Sequence, residues 1–157
     1  GWRYEYEPYD LPGWITDFLL LGSNKVLVEV KPYTSLTEFE TKPLIQALSS
    51  YDEEPREILL LGASLVVAEY ADDSAGLGWL GEIVRGPTGS DGRRRWLDLD
   101  FGPAILKETP MGPDFCHKLG SWRGRITGFD HRLSLLMPLE AAQNLWQEAG
   151  NVVQWRA

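Results

Sequence analysis

The stretch from Asp17 to Lys31 constrains this chain more than any other. Asp17-Phe18-Leu19-Leu20-Leu21 and Lys25-Val26-Leu27-Val28-Glu29-Val30-Lys31 are two apolar runs separated by Gly22-Ser23-Asn24. Apolar runs of that length bounded by turn residues read as the two strands of a hairpin. Side chains alternate across a strand, so Glu29 and Lys31 share one face while Val28 and Val30 take the other. The hairpin brings Asp17, at the start of the first strand, beside that pair. Two carboxylates and a lysine on one sheet edge suit a divalent metal with a cation next to it. Phosphodiester hydrolysis is a reaction this combination suits. The metal neutralises the scissile phosphate and lowers the pKa of its bound water. The lysine orients that water or stabilises the charge that develops.

A chain of 157 residues with 43% hydrophobic content forms one domain, or one core with a modest appendage. A formal net charge of −8 argues against broad electrostatic binding to nucleic acid and leaves room for a local basic patch. The single cysteine, Cys116, excludes an internal disulfide and a four-cysteine zinc ribbon, which fits a reducing cytoplasm. With no apolar run of transmembrane length and no signal peptide, no membrane role is expected.

Taken in order, Trp2, Tyr4 and Tyr6 alternate with Arg3, Glu5 and Glu7, the period of a half-buried strand. Residues 9–14 read as a loop, and the opening hairpin follows. Thr34 to Thr37 is rich in helix-starting residues, with Ser35 or Thr37 as N-cap and capping-box spacing over Thr37 to Glu40. Pro43 then favours a helix from about Thr41 to Tyr51, preceded by a turn. Glu57 to Leu61 reads as a strand buried on both faces, and Leu65 to Tyr70 as another. The first half therefore runs strand, strand, strand, helix, strand, a mixed α/β order around a central sheet. In the second half, residues 76–84 read as a strand, 87–92 as a turn and 95–99 as the return strand. Three prolines and four glycines make residues 102–125 an ordered loop. Arg132 to Met137 reads as a short strand, Pro138 to Ala149 as a helix stopped by Gly150, and Val152 to Trp155 as a last strand. The domain expectation is a core over 1–75 and an irregular β-rich extension over 76–157, packed on that core.

Asp17, Glu29-Val30-Lys31, the following helix and the buried strand together resemble the PD-(D/E)XK nuclease superfamily. Trp2-Arg3-Tyr4-Glu5-Tyr6-Glu7-Pro8, Thr16-Asp17-Phe18, Val28 to Pro32 and the C-terminal Leu145 to Trp155 are similar to small phage- and bacteria-associated members. The resemblance covers residues 1–70 well and 76–130 thinly. It implies a restriction-endonuclease-like fold, a central mixed sheet with flanking helices, and a Mg²⁺- or Mn²⁺-dependent endonuclease acting on DNA. Asp17 and Glu29 are the implied metal ligands, with the Val30 carbonyl as a third. Lys31 is the implied partner of the attacking water, and Gln46 an accessory polar residue. Two positions depart from the family. Thr16 stands where proline usually precedes the aspartate, and the chain begins at the strand that normally follows a first helix. An upstream segment or a second chain would supply that helix, Glu5 or Glu7 would replace its acid, or the fold is reduced. The alternative is an inert relative serving as a DNA-binding or protein-interaction module, or one part of a split nuclease.

Further candidates carry other chemistry. Arg93-Arg94-Arg95 with Arg85, Lys107, Arg123 and Arg125 form a candidate phosphate-contacting patch, or a solvated hairpin tip. Cys116-His117 puts a nucleophile beside a base, although neighbours on a chain rarely face each other. Cys116 and His117 stand alone as potential zinc ligands, which predicts no zinc site, and Asp130-His131 reads as a loop pair. Trp79 and Trp122, in glycine-rich surroundings, are the candidate base-stacking tryptophans in a set otherwise expected in the core.

Overall fold

The computed structural model describes residues 1–11, 13–49, 55, 57–67, 75–87, 89–92, 97–117 and 122–152. The first strands are β1 (Tyr4–Tyr6), β2 (Asp10–Leu11), β3 (Trp14–Ile15), β4 (Phe18–Leu21) and β5 (Lys25–Val30). Helix α1 (Thr41–Ser49) follows, then β6 (Glu57–Leu61), β7 (Val66–Val67), β8 (Ala75–Arg85), β9 (Leu97–Thr109) and β10 (Gly112–His117). β11 (Leu135–Leu136) and α2 (Leu139–Val152) complete the described residues.

Among them, nine strands make one mixed sheet in the order β1-β4-β5-β6-β8-β9-β10, with β7 on β8 and β11 on β9. The expected hairpin is β4 and β5, paired antiparallel with Phe18 opposite Val28 and Leu21 opposite Lys25. Helix α1 then carries the chain over the sheet, so β6 returns parallel to β5, with Glu29 beside Leu60. Both sheet faces are apolar at β5 and its neighbours. Leu19, Leu27, Ile58 and Leu60 pack with Leu44, Ala47 and Leu48 of α1. Leu20, Val26, Val28 and Leu59 pack on the opposite face with Phe115, Met137 and Ala142 of α2. The fold is mixed α/β, with a helix serving each face.

Local chemistry explains where the elements start. Glu38 Oε1 accepts hydrogen bonds from the Thr34 and Ser35 amides, at 2.9 and 2.8 Å, and from both hydroxyls. The capping box is therefore Ser35 with Glu38, on a 3₁₀ turn over Leu36–Glu38, and not Thr37 with Glu40 as the spacing suggested. Pro43 sits in the first turn of α1, where its missing N–H removes no helical bond.

The largest correction falls on residues 102–125. Residues 102–117 are the end of β9 and all of β10, paired from Ala104 opposite His117 to Thr109 opposite Gly112. Pro103 is accommodated because it stands opposite Trp79, where β8 has a bulge after Gly76. Gly112, with φ +111°, allows the tight return, and the Thr109 hydroxyl closes it by donating to the Gly112 carbonyl at 2.7 Å. Smaller differences follow. The loop expected at 9–14 holds β2 and the first residue of β3, which pair antiparallel with Asp10 opposite Ile15 and Leu11 opposite Trp14. His131–Leu133 is a 3₁₀ turn, so only Leu135–Leu136 remains of the strand expected there. Helix α2 continues past Gly150 to Val152, which removes the first residue of the expected last strand, and residues 153–157 lie outside the described residues. So do Tyr51, Arg93, Arg94 and Arg95, and of the strand expected at 65–70 the described residues are 65–67, of which Val66–Val67 is strand.

Candidate functional site

β5 is an interior strand, flanked by β4 and β6, so Glu29 is not on a sheet edge. Its backbone is paired with β4 and β6 along most of its length, and the exception is its last residue, Val30, whose amide turns to a side chain. Alternation from buried Leu27 puts Glu29 on the α1 face, where the carboxylate is 8% exposed. A carboxylate that buried requires donors. Trp14 Nε1 donates to Glu29 Oε2 at 2.9 Å, and Lys31 Nζ lies 2.6 Å from Glu29 Oε1.

Asp17, just before β4, takes the place opposite Glu29 that the hairpin register dictates. Its Oδ2 accepts the Val30 amide hydrogen at 2.7 Å and stands 3.8 Å from Lys31 Nζ. The chain just past β5 is held by the Lys31 amide, which donates to the Leu61 carbonyl at 3.0 Å. Asp17, Glu29 and Lys31 therefore converge at the C-terminal end of β5. Val30 enters through its backbone, and its side chain is turned away and exposed. Burial pushes the Lys31 ammonium down, but the Glu29 hydrogen bond and the charges of Glu29 and Asp17 outweigh it, so its pKa is raised. Lys31 stays a cation at neutral pH and acts as a donor, not as a base.

Both carboxylates flank the Lys31 ammonium, at 3.8 Å for Asp17 and 2.6 Å for Glu29, and Asp17 Oδ1 takes part in none of these contacts. Among the described residues there is no group of three or more His, Cys, Asp or Glu arranged around one metal position. Two carboxylates completed by backbone, water and substrate oxygens are a donor set that suits Mg²⁺, which keeps several waters and tolerates few protein ligands. The donor types fit such an ion, while both Glu29 oxygens face Trp14 Nε1 and Lys31 Nζ, one of which an ion would have to displace.

Glu29 and Lys31 also form one wall of a cleft of about 200 Å³. The rest comes from Trp14, from Tyr33, Phe39 and Glu40 in the β5–α1 connection, from Thr41, Pro43 and Leu44 of α1, and from Leu60. In the sequence this cleft has one signal, the density of aromatic residues on both sides of the hairpin.

Other candidates disperse. Gln46 is exposed on α1 and does not line the cleft. Glu5 and Glu7 are exposed, with the Glu7 amide donating to the Asp17 carbonyl at 3.0 Å. Arg125 leaves the supposed phosphate patch: it is 3% exposed and its Nε and Nη2 bind both Glu57 oxygens, at 2.8 and 2.5 Å. Lys107 is half-buried on β9, and Arg123 is exposed. Trp79 packs edge-on against Phe39 in the core, leaving Trp122 exposed. Cys116 and His117 are successive residues of β10 and point to opposite faces, so they form no nucleophile–base pair. The Asp130-His131 loop pair separates, since Asp130 binds Arg132 while buried His131 faces Asp114. Among the described residues no helix is long and apolar enough to cross a membrane.

No family model, curated protein or solved structure matches this chain.

Proposed function

We propose that this protein is a metal-dependent nuclease that hydrolyses phosphodiester bonds of DNA on a restriction-endonuclease-like core. The observation that carries the proposal is the convergence of Asp17 and Glu29 on Lys31, with 2.6 and 3.8 Å from Nζ to the two carboxylates. The setting supports it. Three antiparallel strands (β1, β4, β5), a crossover helix and a parallel strand (β6) are the arrangement expected of such a core, with Asp17, Glu29 and Lys31 at the C-terminal end of β5.

Asp17 and Glu29 would hold Mg²⁺ or Mn²⁺, with the Val30 carbonyl as a further ligand; such an ion supplies charge neutralisation and an acidified water. Trp14 and the Val30 amide keep the two carboxylates oriented. Lys31, a cation throughout the neutral range, donates to the attacking water or to the phosphate oxygens as negative charge grows on them. Buried neighbours such as Leu60 keep the Glu29 side of the site poor in water, which strengthens each of these interactions.

A second reading rests on a specific observation. Asp17 Oδ2 and both Glu29 oxygens already have protein partners, which is what an inert binding module with a self-neutralised charged pocket requires. End-labelled DNA incubated with Mg²⁺ or Mn²⁺ separates the two. The nuclease reading expects cleavage that chelation stops and that Glu29→Gln, Asp17→Asn or Lys31→Met each lowers about a hundredfold or more. Absence of cleavage with both metals, or an unaltered rate in Glu29→Gln, favours the inert module.

A further inference from the structure

The cleft beside Glu29 is larger than ion chemistry needs. Its volume of about 200 Å³ matches several waters at about 30 Å³ each, room for one flat heterocycle. The walls are mostly rings and aliphatic carbon from Trp14, Tyr33, Phe39, Pro43 and Leu44, with Glu40 and Thr41 as polar groups beside them. Glu29 and Lys31 line the same cleft as Tyr33, so the aromatic wall and the charged pair form one continuous site. The ring is fixed edge-on against Phe39, with centroids 4.9 Å apart, so it does not have to be ordered when a ligand arrives.

We propose that this cleft receives an unpaired base of the strand being cut, so that the substrate is single-stranded DNA or the frayed end of a duplex. The inference rests on the nuclease reading for the reaction, but not for the binding. A base in a duplex is stacked on both faces and reaches such a cleft only after unstacking, which an already single strand avoids. Stacking on aromatic walls is tolerant of sequence, since every base has a π-face. The net charge of −8 points the same way: it penalises the long run of phosphate contacts on which duplex binding relies, and leaves base contacts a larger share of the affinity.

Fluorescence anisotropy of a labelled oligothymidylate, alone and annealed to its complement, tests this in metal-free and in magnesium buffer. The single strand is expected to bind about tenfold or more tighter than the duplex. Tyr33→Leu should weaken single-strand binding about five- to tenfold, while Tyr33→Phe, which keeps the ring, should not. Equal affinity for both forms, no binding of the single strand in either buffer, or a Tyr33→Leu variant that binds like wild type would overturn the inference. The wild-type comparison decides alone if the leucine variant misfolds. Cleavage is read separately. Selective single-strand binding without cleavage removes the nuclease reading only, and duplex cleavage with equal binding removes the base cleft only.

Discussion

Asp114 is fully buried and ringed by donors, taking the Phe115, Ile126 and Thr127 amides at 2.7, 2.9 and 2.8 Å and the Thr127 hydroxyl as well. His131, equally buried, sets Nε2 3.7 Å from Asp114 Oδ2, too far for a hydrogen bond but close enough for strong charge attraction. Burial pushes the Asp114 carboxyl up, yet His131 and the Thr127 and Ile126 donors pull it down to about 2. Burial pushes the imidazole down, yet Asp114 and the Cys116 thiol carry it up to about 9. Gly124 is required here, since a Cβ would overlap the Asp114 carboxylate and the His131 ring. The folded histidine titrates above its ordinary value, so its contribution is complete below about pH 6.5 and is lost as pH rises through about 9. A rise from 6.5 to about 9, at about 1.4 kcal/mol per unit, is worth about 3 kcal/mol. Urea midpoints measured across that window should fall for the wild type. In Asp114→Asn the midpoint starts lower and that alkaline fall flattens; an equal fall in both proteins would show that the pair does not carry it.

Between elements, the main polar tie is Arg125 with Glu57. The segment around Arg125 lies over the β4–β5 turn, where Ser23 and Asn24 amides donate to the Ile126 and Arg125 carbonyls at 2.8 and 3.0 Å. Gly22 makes that approach possible, since a Cβ there would overlap the Arg125 carbonyl. The clamp thus closes the N-terminal ends of parallel β5 and β6, the end opposite the triad. Arg125→Met should cost about 3–5 kcal/mol by leaving Glu57 an uncompensated, mostly buried charge. Arg125→Met combined with Glu57→Leu should recover most of that loss, as read by thermal or urea unfolding, because two apolar groups leave no orphan charge. Recovery failing in the double variant would assign the loss to packing. None of this was legible in the sequence, where Arg125 is one basic residue among several. Strands β4, β5 and β6 were legible because burial on both faces leaves a continuous apolar run. The start of β9, Leu97 to Leu99, was legible as the return strand, but the rest of β9 and all of β10 were not, because their prolines and glycines carry loop signals unless a bulge and a partner strand are known. Gly150 misled for a similar reason, since a glycine stops a helix only where the chain has cause to turn.

At the scale of the whole molecule, the sheet converts a spacing into a place. Asp17, Glu29 and Lys31 could be read together because one hairpin register joins them, and a register is a local property. The aromatic cleft could not be read, because Trp14, Tyr33 and Leu44 meet only once α1 has crossed the sheet and β6 has paired beside β5. The same global view gives a test of the metal proposal that needs no turnover. The folded chain, with a net charge of −8, holds two carboxylates against a single ammonium, an arrangement the unfolded chain lacks. A divalent ion that binds there binds the folded state alone and stabilises it by mass action. At ten times its Kd the gain is about 1.4 kcal/mol, which raises Tm by about 3–6 °C for a chain of this size. Asp17→Asn should abolish the shift. Lys31→Met should reach it at lower magnesium, because the competing ammonium is gone while the carboxylates remain. Potassium at matched ionic strength controls for screening and should reproduce none of it, since the effect requires two carboxylates around one ion. If Asp17→Asn keeps the full rise, the magnesium acts elsewhere on the acidic surface, and the triad is left with its lysine as its only cation.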